Sequence, residues 1–209
     1  MILTPIPRVH LGEALDRFAA QLDDAEARTA FDCIRTTSPD RADGAEAERH
    51  RREALALARR FGVPTHPPGT RPAFNWDGNA LDIDTEAYVI LHEIAHFVLA
   101  PRERRGLVDF GLGPGPDTRD RDAAERAALL PVSKRDADEA EASLLGILWE
   151  AAFAQPALAS FLDQNWLEGL ERSAAAHFTG VFDRLRRHGL IDPTLLRRGD
   201  SQPASREMR

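Results

Sequence analysis

Residues 86–100 read EAYVILHEIAHFVLA, an almost unbroken apolar run with two histidines and a glutamate at its centre. The run is too short and too interrupted to span a bilayer, so its apolar side chains must be buried inside a folded domain, as a helix. Asp84 or Thr85 as N-cap and Pro101 just past the end predict that helix over residues 85–100. Burial then traps His92, Glu93 and His96, and an unpaired buried glutamate is costly unless a partner or a metal offsets it. The spacing suggests the partner. Histidines four apart lie about 40° apart around a helix and one turn along it, so both imidazoles can reach one metal ion. Glu93, next to the first of them, is angled toward a metal-bound water and is the natural general base or supporting group.

Composition narrows what can surround this helix. With 209 residues, 43% of them hydrophobic, the chain suffices for one compact domain over residues 1–196, followed by a tail, 197–209, with too little apolar surface to fold. A formal charge of −7 argues against a nucleic-acid partner, although the positive charge is almost all arginine and Lys134 is the only lysine. Cys33, the single cysteine, can form neither an internal disulfide nor a thiolate metal site. The prolines near the N-terminus interrupt any secretory signal, and no run reaches membrane-spanning length. A soluble, cytoplasmic protein is expected.

Helical periodicity appears first in LGEALDRFAAQLDDAEARTAF, where Leu11, Leu15, Phe18, Ala19 and Leu22 share a face, and again in AERHRREALALARRFG, closed by Gly62. VPTHPPGTRP must be loop. AFNWDGNALDID alternates around Asp77-Gly78, which predicts a hairpin and a small sheet beside the histidine helix. The segment from 157 to 185 places Leu158, Phe161, Leu162, Trp166, Leu170, Phe178, Val181, Phe182 and Leu185 as the core faces of two packed helices. Trp149, Trp166 and Asn165 could line a substrate cleft, but aromatic residues at helical spacing more often fill cores.

Two histidines need a third protein ligand. Leu99 and Arg102 stand where the HExxHxxGxxH motif of metzincins has glycine and histidine, so that class is excluded. Three suppliers remain: Asp109 in LVDFGLGPGP, and Glu141 or Glu139 in DADEAEASLLGILWEAAF, which reads as a long amphipathic helix opened by an acidic cluster that also holds Asp138. Glu141 is preferred, then Glu139, because the small residues Ala142 and Ser143 would let two helices approach closely. The same carboxylates could instead complement the positive end of a helix dipole. Gly111, Gly113 and Gly115 follow no strand and precede no GKS or GKT ending, so they make no nucleotide loop. Arg102, Arg104 and Arg105 could steer an acidic substrate or close a helix end. His177, and more weakly His10, His50, His66 and His188, lack a second ligand at one-turn spacing.

LHEIAHFVLAPRERRGLVDFGLGPGPDT resembles the central segment of the elongation factor P hydroxylase family, an HExxH helix followed by a basic turn, an Asp-Phe-Gly step and a Gly- and Pro-rich loop. The resemblance covers residues 85–118 and continues weakly through SLLGILWEAAF and FLDQNWLEG. It implies a zincin-like, mostly helical α+β domain with one divalent metal, Fe(II) or Zn(II), held by His92, His96 and a carboxylate. It also implies oxygen-dependent hydroxylation of a protein or peptide side chain on a translation factor, with Asp109 matching the step after the basic turn. Two histidines and a carboxylate with open positions suit iron(II) and oxygen, whereas zinc on the same helix would make a metallopeptidase or related hydrolase with Glu93 as base. A degenerate module keeping the metal only for structure is a third reading.

Overall fold

A computed structural model describes residues 6–115, 118–167 and 173–191. The expected tail, 197–209, lies outside the described residues, as does Leu170. The first helical period holds, but it serves two helices rather than one. α1 (Arg8–Ala20) turns Leu11, Leu15, Phe18 and Ala19 inward. The chain then breaks, because the Asp24 carboxylate accepts the Ala27 N–H at 2.7 Å and so starts α2 (Ala25–Arg35), which buries Ala27, Ala30, Phe31 and Ile34. α3 (Gly44–Phe61) stops where its sequence predicts: Gly62 takes φ 67°, and the Val63 N–H reaches back to the Ala58 carbonyl.

The predicted strands are replaced by isolated bridges centred on one residue. Leu81 pairs with Trp76 on one side and Thr65 on the other, and no strand forms among the described residues. The turn itself explains this. Asp77 spends its carboxylate on the N–H groups of Asn79 and Ala80, which fixes a side-chain turn, while the prolines before residue 73 and the histidine helix after residue 86 leave no length for a ladder.

α4 (Ala87–Leu99) is the histidine helix, with Ile90, Leu91, Ile94 and Ala95 buried. Neither Asp84 nor Thr85 caps it. Glu86 holds the N-cap position without a side-chain bond to the helix N–H groups, the Asp84 carboxylate accepts the Gly69 N–H, and the Thr85 hydroxyl donates to the Glu86 carboxylate. Arg105 closes the other end by donating to the Ala100 carbonyl at 3.0 Å. After a short helix, α5 (Arg121–Ala127), α6 (Val132–Ala152) starts four residues before Asp136. The acidic cluster therefore lies in its second and third turns rather than at its positive end. α6 is the central strut, since α4 makes its most extensive packing with it. α7 (Ala157–Asp163) and α8 (Ala174–Arg187) complete the opposite flank, where Phe18, Phe31, Phe161 and Phe178 meet with ring centroids 4.6 to 6.2 Å apart.

Candidate metal centre

The site begins with a glycine. A Cβ added at Gly146 would sit 3.3 Å from the His92 Cα, so α6 lies against α4 at the level of its first histidine. Seven residues earlier, two turns up the same face of α6, stands Glu139. Glu139, Ser143, Gly146 and Glu150 fall within a sector of about 60°, whereas Glu141 is rotated about 200° from Glu139. The fold thus brings Glu139 to the histidines. Its Oε1 lies 3.1 Å from His92 Nε2 and its Oε2 3.1 Å from His96 Nε2, and the two Nε2 atoms are 3.0 Å apart. These three are the one set of His, Cys, Asp or Glu donors among the described residues that could share a metal ion. Glu141 points elsewhere, its Oε1 accepting from Arg184 Nε at 2.5 Å.

The electrostatics match a site built for a cation. Burial disfavours charge on His92, yet the Glu139 carboxylate overrides it and lifts His92 to about 9. Glu139 keeps a side chain 55% exposed, and against the desolvation that remains His92 and His96 hold it well below the usual carboxylate range. Three donors packed this closely need positive charge among them, a proton or a metal. Burial likewise raises Glu93, whose Oε1 accepts from Asn75 Nδ2 at 3.4 Å. Burial, then the neighbouring Glu93, push Asp109 up to about 6.

The donors open onto a cavity of ≈420 Å³ whose walls include Asn75, Val89, Glu93, Asp109, Phe110, Leu112, Thr118, Gln164 and Asn165, with no lysine or arginine among the described residues. A larger cavity, ≈640 Å³, lies next to it around Arg41, His50 and Glu150 and shares Tyr88 and Asp163 with the first, but it is away from the donors. Asp109 reaches the smaller cavity through an unusual turn. Asp109, Phe110 and Gly111 all take positive φ, 44°, 54° and 70°, and two such non-glycine residues store about 1–3 kcal/mol each. The turn is held by the Asp109 N–H donating to the Trp76 carbonyl at 3.0 Å and by the Thr118 hydroxyl donating to Asp109 Oδ2 at 3.1 Å.

Several candidates from the sequence stand outside this cavity. Arg104 is bonded to Asp138 at 2.5 Å and Arg105 is spent on the end of α4, so both serve structure, while Arg102 is exposed outside the cavity lining. His66 pairs with Asp77, His50 with Arg49, and His177 stacks on Trp166. Trp149 packs against Phe61 and Trp166 donates to Ser143 at 2.8 Å, and neither lines this cavity, while Asn165 does. Asn75, Thr118 and Gln164 were missed. They sit on loops that only the fold brings together, and no spacing rule links them.

Residues 85–134 match the family model of elongation factor P hydroxylase. The suspected kinship is supported over that segment, which carries α4 with both histidines, the Asp109–Gly111 turn, α5 and the first residues of α6. Glu139 lies five residues beyond its end. No curated protein and no solved structure gives a match. No helix among the described residues is long and apolar enough to cross a membrane.

Proposed function

We propose that this protein is a mononuclear metalloenzyme that hydroxylates a side chain of a protein or peptide substrate in an oxygen-dependent reaction. Elongation factor P is the substrate its matched segment points to. The observation that carries the reading is the convergence of His92, His96 and Glu139 on one wall of a cavity, beside a segment with that family likeness. The donor set suits a divalent transition metal, being two imidazoles and one carboxylate with room for further groups on the cavity side. We infer a zincin-like pairing of α4 with the carboxylate-bearing α6.

Iron(II) held by these three residues would supply the oxygen-activating chemistry, and zinc in the same place would supply a polarised water instead. The protein's own groups do the rest. The Glu93 carboxyl, raised by burial and bonded to Asn75, can take up or pass a proton beside the donors, and Asp109 offers a second carboxyl on the same cavity for that transfer. Val89, Phe110 and Leu112 keep the reacting side chain out of bulk water.

The test is to load the protein with iron(II), add elongation factor P or a peptide from its modified region together with a two-electron reductant that takes the second oxygen atom to water, and follow oxygen uptake together with the mass of the substrate. Gain of one oxygen atom by the substrate, lost in His96→Ala and in Glu139→Gln, is the expected result. Absence of any metal uptake by the wild type would end the reading. If zinc-loaded protein instead cleaves a peptide library and Glu93→Gln stops it, the hydrolase reading, which uses the same donors with Glu93 as base, replaces it.

A further inference from the structure

Phe110 does more than wall off the cavity, for its ring is placed with unusual care. Its ring is 1% exposed and stacks on two others, Trp76 at 5.2 Å and 7°, and His96 at 5.5 Å and 26°. Both rings lie near-parallel to that of Phe110, which links the Trp76 indole to the His96 imidazole. Trp76 is itself fixed, its Nε1 donating to the Arg105 carbonyl at 2.9 Å and its own carbonyl accepting the Asp109 N–H at 3.0 Å. The far end of this stack is a metal-donor histidine whose polar contacts, to His92 and Glu139, both run through Nε2.

A ligating imidazole ordinarily has its plane set by a hydrogen bond from the second ring nitrogen. At His96 an aromatic face lies against the ring. Phe110 arrives there through three consecutive left-handed residues, and a bulky side chain in that conformation is rare enough to point to a purpose. We propose that Phe110 is a positioning residue of the metal centre: it sets the plane of the His96 imidazole from the rigid Trp76 side, and the strained 109–111 turn exists to deliver it. The inference rests on the proposed function only in requiring that His96 ligate a metal.

Cobalt(II) is a suitable probe, read by its dissociation constant in competition with a chelator and by its visible absorption, with circular dichroism as the check on folding. Phe110→Leu keeps apolar volume but removes the flat face; it should weaken cobalt binding roughly 10- to 100-fold and shift the absorption bands, as loss of a ligand-orienting neighbour does. Phe110→Tyr should restore both. A folded Phe110→Leu with wild-type affinity and spectrum would show Phe110 to be core filling and overturn the proposal. Should that variant not fold, the zinc-loaded wild type decides by proton NMR: Overhauser contacts between the Phe110 and His96 rings are expected, and their absence overturns it. Wild type that takes up no cobalt defeats the proposed function as well, whereas tight wild-type binding left unchanged by Phe110→Leu defeats this inference alone.

Discussion

The two sides of α6 face two different interiors. On the flank of α1, α2, α7 and α8, four phenylalanines each touch the other three, and apolar contact satisfies them completely. On the flank of α4, the same kind of helix packing encloses His92, His96 and Glu93 beneath the more exposed Glu139, and Glu150, a carboxylate 2% exposed, lies about three turns beyond Glu139 on α6. The first interior lowers the free energy by filling space. The second carries polar groups that apolar packing cannot satisfy, which is the signature of a site rather than of a core.

That contrast can be broken experimentally. The largest effect should come from Phe31→Ala on the aromatic flank, which should lose about 3–5 kcal/mol in denaturant unfolding while the molecules that remain folded bind metal as before. A loss of metal affinity without a loss of stability would mean that the two interiors are not separate in kind.

Glu150 sharpens the contrast from the other side. Burial, only partly relieved by Ser160 and by Arg41 at 3.6 Å, raises its carboxyl to about 7. A carboxyl whose folded pKa exceeds its unfolded value of 4.5 binds more protons when folded, so its contribution to stability is present at low pH and is lost as pH rises from 4.5 through about 7. Glu150→Gln should therefore raise the stability at pH 8 by as much as about 3 kcal/mol relative to wild type, and leave it nearly unchanged at pH 4. Thermal unfolding at both values checks the sign, and a variant less stable at pH 8 would show that the Arg41 pair outweighs the burial.

The smallest effect distinguishes two neighbouring carboxylates on α6. Glu141→Gln removes the bond to Arg184 and should lower stability by about 1 kcal/mol with metal uptake intact, whereas Glu139→Gln should abolish uptake with little change in stability. Equal loss of metal in both variants would put Glu141 back in the site.

Much of this was legible beforehand for a simple reason: where chemistry depends on spacing within one helix, sequence contains it. His92, Glu93 and His96 needed only the 3.6-residue period, and Gly62 needed only the left-handed conformation that ends α3. The choice between Glu139 and Glu141 was open to the same reasoning once Gly146 was taken as the point of closest approach, since it shares a face with Glu139 and not with Glu141. Small residues immediately after Glu141 suggested the wrong contact. The hairpin failed because Asp77-Gly78 specifies a turn but not the strands on either side of it.

The sequence alone determined that a buried helix presents two imidazoles one turn apart with a carboxyl between them, because those relations are local and set by helical geometry. Tertiary structure decided which acid faces them, that Phe110 stacks on His96, and that Asn75, Thr118 and Gln164 share their cavity. Those relations join residues 14 to 89 positions apart, and only the packing of α4 on α6 and the strained turn between them brings such side chains within contact distance.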